Sequence, residues 1–155
     1  MKIEIGQKAP AFNLLDSEKN EVKLENYKGK NVLLLFFPLA FTGTCTAELC
    51  AMRDDIASYN NLNAQVFGIS VDSRFVLGKF KEEQKLNFPL LSDFNKEAST
   101  AYDVLYADFI GMKGVSKRSA FVIDKEGIVK YAEVLEKSSD LPNFNAIKEV
   151  LTGLN

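Results

Sequence analysis

The chain has 155 residues, of which 46% are hydrophobic and 26% charged, with a net charge of −2, a composition that excludes both a disordered chain and a membrane-spanning one. Its 19 basic and 21 acidic residues are interleaved, so no basic stripe points to nucleic acid, and the length fits one domain over residues 1–155. The absence of histidine removes Ser-His-Asp, Cys-His and HExxH chemistry together, and two cysteines alone cannot build a zinc site, so neither a metal nor another cofactor is expected.

Charges recur every few residues in Met1–Lys8, unlike the apolar stretch of a secretory signal, and no window approaches 18 apolar residues. This predicts a cytoplasmic protein with no membrane partner. In that reducing compartment a close cysteine pair points to redox chemistry more often than to a structural staple. The run Asn31–Phe37 is continuously apolar, as in a strand buried on both faces, and Pro38 ends it. Cys45, Leu49, Met52, Ile56 and Tyr59 recur at steps of four and three, predicting one amphipathic helix over 44–61 with Thr42 or Thr44 as its N-cap. Val66–Val71 reads as a second buried strand and Ser73–Leu86 as a second helix. Phe88–Asp93 is a short extended segment and Glu97–Tyr102 a short helix. Ala120–Ile123 and Ile128–Ala132 flank Asp124-Lys125-Glu126-Gly127 as a hairpin, and Pro142–Leu151 forms a closing helix. A parallel β-α-β unit followed by an antiparallel hairpin and a helix predicts an α/β, thioredoxin-like fold, with a mixed central sheet flanked by helices.

The segment Pro38–Cys45 runs from the carboxyl end of a buried strand into a helix N-terminus, where α/β sheets place their ligands. In a first turn, unsatisfied N–H groups and the positive end of the helix dipole favour a thiolate at Cys45. The same position also suits a small buried hydrophobe on the apolar stripe, and both readings stand on periodicity alone. Arg118 precedes a strand expected to run antiparallel to 31–37, which would bring its guanidinium to Cys45; alternatively it is a solvated charge at a strand edge. Glu48, three residues beyond Cys45, either holds that arginine or is a surface carboxylate. Cys50 follows Cys45 by five residues, so in an intact helix the two sulfurs diverge and a disulfide requires the first turns to unwind. Cys50 is thus a resolving thiol or an inert helix residue.

The stretch Phe37-Pro38-Leu39-Ala40-Phe41-Thr42-Gly43-Thr44-Cys45-Thr46-Ala47-Glu48 resembles the peroxiredoxin active-site motif, Pro-x-x-x-Thr-x-x-Cys with an acidic residue three positions on. The segments Gly6–Phe12, Phe88–Asp93 and Lys117–Asp124 agree with it. The likeness is to the AhpE-like branch through Phe36–Gly43 and to the peroxiredoxin Q/bacterioferritin comigratory protein branch through Cys45–Cys50. The resemblance implies a thiol-dependent peroxidase for hydrogen peroxide and organic hydroperoxides. Cys45 would attack the peroxide and become a sulfenic acid, Thr42 would position the peroxide, and Pro38 would shield the thiolate. Arg118 would stabilise thiolate and transition state, Glu48 would orient Arg118, and the backbone N–H groups of Thr44 and Cys45 would bind the peroxide oxygens.

The branches differ over recycling. Cys50 would resolve Cys45 in an intramolecular disulfide reduced by thioredoxin or a glutaredoxin-like protein, or an external thiol would attack the sulfenic acid directly. No C-terminal arm carries a further cysteine, so an intersubunit disulfide is not expected, whereas a homodimer is. Phe41, Phe109, Ile110 and Met112 are candidates for an apolar rim favouring organic hydroperoxides, or for core or dimer packing. Two other functions compete: a thiol–disulfide oxidoreductase, disfavoured by the Cys-x-x-x-x-Cys spacing and the lack of a proline between Pro89 and Pro142, and a non-catalytic binding module, which would be indifferent to loss of Cys45.

Overall fold

The structure is a computed structural model and describes residues 2–155. Asn31–Phe36 (β3) is completely buried, and its alternation feeds two cores. Leu33 and Leu35 face a cluster with Leu49, Met52, Phe80 and Ile147, while Val32, Leu34 and Phe36 face one with Phe67, Tyr102 and Phe121. A strand apolar on both faces has to be central, and β3 lies between Ala64–Ser70 (β4), parallel to it, and Ser119–Ile123 (β6), antiparallel. The whole mixed sheet has the order β2-β1-β5-β4-β3-β6-β7, with β1 Asn13–Asp16, β2 Glu21–Lys23, β5 Leu90–Ser92 and β7 Val129–Val134. Helices flank it in the thioredoxin-like arrangement expected.

The first core is covered by Gly43–Asp54 (α1), Ile56–Asn61 (α2), Arg74–Gln84 (α3) and Phe144–Gly153 (α5); Glu97–Ala101 (α4) covers the second. Two differences from the sequence reading matter. The helix expected over 44–61 is divided at Asp55, whose ψ is 11°. Its N–H bonds back to Met52 O at 3.1 Å, a tightened turn, while its carboxylate accepts from Ser58 Oγ at 2.7 Å and pairs with Lys148, so a polar side chain competes with the helical ladder. The strands β1 and β2, for which no element was predicted, are only four and three residues long and bury alternate residues at a sheet edge, too little pattern to read.

The register sets the site. Phe36 pairs with Ser119, so Arg118 begins beyond the carboxyl end of β3, beside the segment that leads into α1.

Candidate active site

The chain leaves β3 under tight control. Phe37 N donates to Ile69 O at 2.9 Å, after which buried Pro38 ends the strand pairing because it has no N–H. Ala40 N then donates to Asp72 Oδ2 at 2.8 Å, and Ser70 Oγ donates to the same oxygen at 2.7 Å, tying the turn to the end of β4. Phe41 has a φ of +66°, an unusual conformation for an aromatic residue, held by these bonds on one side and the helix start on the other. Thr42 is the N-cap by position, extended at φ −94° and ψ 154°, but its side chain does not cap: Oγ1 donates to Leu39 O at 2.7 Å. Thr46 N closes the first helical bond onto Thr42 O at 2.9 Å, so the amides of Gly43, Thr44 and Cys45 precede the ladder at the open end of α1.

Cys45 is buried, with 1% of its surface exposed, and Arg118 Nη2 donates to its Sγ at 3.2 Å. The same nitrogen donates to Ser138 O at 3.0 Å, while Nη1 donates to Glu48 Oε1 at 2.5 Å. Arginine and carboxylate are both buried, so each needs the other: their full desolvation would otherwise leave a lone charge in the core. Burial pushes the Glu48 carboxyl up to about 7, an effect that the charge and hydrogen bond of Arg118 only partly oppose. Burial also pulls the Arg118 guanidinium down, but Glu48 and the Cys45 sulfur together hold it above its ordinary value. Glu48 Oε2 and Arg118 Nε have no hydrogen-bond partner among the described residues. The arrangement presents a fixed cation and the open end of a helix to a single sulfur in a buried junction. It can stabilise negative charge on that sulfur and on an oxygen brought against it.

Cys50 lies elsewhere. It is half-buried and free, and its Sγ donates to Gln84 Oε1 at 3.4 Å, across α1 on α3, whereas Cys45 faces the start of β6. The two thiols therefore serve different sides of one helix.

Of the four apolar candidates for a rim, Phe41 is half-exposed and packs edge-on against Phe80, with ring centroids 5.1 Å apart. The other three belong to a small hairpin. Phe109 pairs with Met112 across Ile110 and Gly111, both at positive φ, and stacks on Tyr106 with centroids 5.0 Å apart. Burial first, then the charge of Glu136, holds the Tyr106 hydroxyl above the usual range, and that hydroxyl donates to Glu136 O at 2.9 Å. Ile110 and Met112 are exposed.

Two contributors went unread in the sequence. Asp72 fixes the turn through Ala40, and Ser138 offers its carbonyl to Arg118. Only Asp72 carried a signal, standing just past the carboxyl end of a buried strand. A backbone carbonyl in the loop after β7 has none.

Residues 5–132 match the family model AhpC/TSA family. The chain is 42% identical over 133 residues to peroxiredoxin Bcp of Bacillus subtilis, covering 82% of each protein. It is 37% identical over 159 aligned positions to a mitochondrial thioredoxin-dependent peroxide reductase of Drosophila melanogaster, covering 96% of this chain and 64% of that one. The crystal structure of peroxidoxin BcpB from Mycobacterium tuberculosis superposes with a TM-score of 0.88 at 28% identity, covering 99% of both chains.

Proposed function

The chain belongs to the AhpC/TSA family and is a thiol-dependent peroxidase, and from this premise we propose that Cys45 is the sulfur that attacks peroxide and Cys50 the thiol that resolves it. The observation that carries the assignment is the 3.2 Å hydrogen bond from Arg118 to Cys45, made in a buried junction where Arg118 is also paired with buried Glu48. The Cys45 thiolate attacks the terminal oxygen of a hydroperoxide, forming the S–O bond and breaking the O–O bond. The departing alkoxide or hydroxide takes a proton and leaves as alcohol or water, and the sulfur is left as sulfenic acid.

Negative charge moves from sulfur to oxygen in this step, and the groups that meet it are already oriented. Arg118 holds the thiolate and the developing charge, and Glu48 keeps the guanidinium aimed. The backbone amides of Thr44 and Cys45 receive the peroxide oxygens, the Thr42 hydroxyl positions the peroxide, and Pro38 shields the sulfur from water. The apolar rim of Phe41, Phe109, Ile110 and Met112 favours organic hydroperoxides alongside hydrogen peroxide. A thioredoxin-type or glutaredoxin-like dithiol returns the oxidised protein to its starting state. We assign the protein to the cytoplasm, working as a homodimer within one domain; no helix among the described residues is long and apolar enough to cross a membrane.

The test is the intact mass of the reduced protein after one equivalent of hydrogen peroxide, with and without a sulfenic-acid trap. Loss of two hydrogens mapped to Cys45 and Cys50 is the expected result. Gain of one trappable oxygen at Cys45 would leave the peroxidase chemistry and assign resolution to an external thiol, a reading that the resting bond of Cys50 to Gln84 favours. An unchanged mass would overturn the assignment of Cys45.

A further inference from the structure

The resting geometry raises a problem for resolution, since Cys50 is held on the face of α1 turned to α3 while Cys45 is buried against β6. Some part of α1 has to unwind, and the polar ties of the helix mark where unwinding stops. Among the described residues, the side-chain hydrogen bonds that tie 43–49 to the rest of the protein beyond the helix cap run through Arg118, to Cys45 and Glu48. Beyond Cys50 the ties are of another kind. Arg53 Nη1 donates to Gln84 O at 2.5 Å, Asn87 Nδ2 donates to Arg53 O at 3.2 Å, and Lys148 of α5 pairs with Asp55. Oxidation of Cys45 alters the first set and leaves the second untouched.

Cys50 and Arg53 are three residues apart on one helix face, and both bind the same residue, Gln84, the thiol at its side-chain oxygen and the guanidinium at its backbone carbonyl. We propose that Arg53 is a positioning residue for the resolving step: anchored to the Gln84 carbonyl on α3, it fixes the boundary at which α1 unwinds, so that the turns before it open and carry Cys50 to Cys45. The inference rests on the reading of Cys50 as the resolving thiol. A 2.9 Å bond from its Nε to Asp54 Oδ1 holds the Arg53 guanidinium above its ordinary value and steadies it at the end of α1.

In the resting protein Gln84 Oε1 accepts from the Cys50 thiol at 3.4 Å. When the turns before Arg53 unwind, Cys50 leaves Gln84 and gives up its proton to water, while Arg53 stays bound to the Gln84 carbonyl. The thiolate, which is the nucleophile, then attacks the sulfenic sulfur of Cys45. The S–S bond forms, the S–O bond breaks, and the leaving hydroxide takes a proton to depart as water. No oxidant other than the peroxide already consumed is needed.

Arg53→Met and Arg53→Lys, both in the full chain, test this. Reduced protein is mixed with hydrogen peroxide, quenched with a thiol-blocking reagent at a series of times, and the sulfenic acid and disulfide forms are separated by mass. Arg53→Met is expected to oxidise Cys45 within about twofold of the wild-type rate, but to form the disulfide about tenfold more slowly. Arg53→Lys keeps the charge and restores most of the rate. A disulfide formed by Arg53→Met at or above the wild-type rate, or a loss of rate that Arg53→Lys does not restore, overturns the proposal. Failure of the wild-type chain itself to form the Cys45–Cys50 disulfide overturns the resolving role of Cys50, and Arg53's role with it.

Discussion

The two ends of α1 carry the same reactive atom in opposite settings. At the start, Cys45 is buried and bonded by a guanidinium whose other hand grips a buried carboxylate, and nothing there can shift without exposing a charge. At the end, Cys50 is half-buried and bonded to a neutral carboxamide, beside an arginine that is itself partly in water. The first setting is built to hold charge in one place. The second leaves a sulfur free to move while the helix beneath it stays fastened. Burial and the nature of the partner, and not the residue type, decide which chemistry each thiol is suited to.

The largest effect that could separate the two ends is expected from Arg118→Met. Oxidation of Cys45 by peroxide should fall by about 100- to 1,000-fold, the usual loss when a preorganised donor to developing charge is removed. Alkylation of Cys50 by a soluble reagent should be unchanged in the same variant. Rapid-mixing measurement of both rates checks this, and a comparable fall at Cys50 would mean that the two settings are not independent.

Glu48 makes the comparison depend on pH. Its carboxyl is raised to about 7 in the folded helix from 4.5, so burial favours the protonated form. The stabilisation it gives the closed α1 is therefore complete below about pH 4.5 and is lost as the pH rises through about 7, with no further loss from this group above that. The groups facing it are Arg118 and, through Arg118, Cys45. Opening free energies from amide hydrogen exchange over residues 43–49 should decrease across this interval, while those at the Arg53 end stay flat. Glu48→Gln removes the carboxyl and should remove the slope; a slope that survives would place its origin in another group.

Much of this was legible in the sequence, for reasons that differ from residue to residue. The six-residue apolar run 32–37 reads as a central strand, and a strand of that kind fixes where its carboxyl end and the following helix must lie. Arg118 could be placed beside Cys45 because a strand antiparallel to β3 brings its first residues to that end, as the pairing of Phe36 with Ser119 shows. The break at Asp55 was not legible, since Ile56 and Tyr59 continue the apolar period across it; the interruption is made by Ser58 and by Lys148, 93 residues away. The tie of Arg53 to the backbone of Gln84 was hidden for a related reason: a carbonyl oxygen has no residue signature, and the contact joins elements 31 residues apart.

The smallest effect tests the fastened end directly. Lys148 of α5 pairs with Asp55 at the close of α1, and it holds the Asp55 carboxyl below the usual carboxylate range, chiefly through their hydrogen bond. Both side chains are more than a third exposed or close to it, so water screens the pair, and Lys148→Ala should cost about 0.2–1 kcal/mol in a denaturant titration. Neither the oxidation of Cys45 nor disulfide formation should change, because Arg53 still ties the last turn to the end of α3 and Asn87 to the segment after it. If resolution instead slowed while global stability fell by no more than this, the boundary of unwinding would lie at Asp55, one residue beyond the end of α1, and the fastening would be shared between α3 and α5.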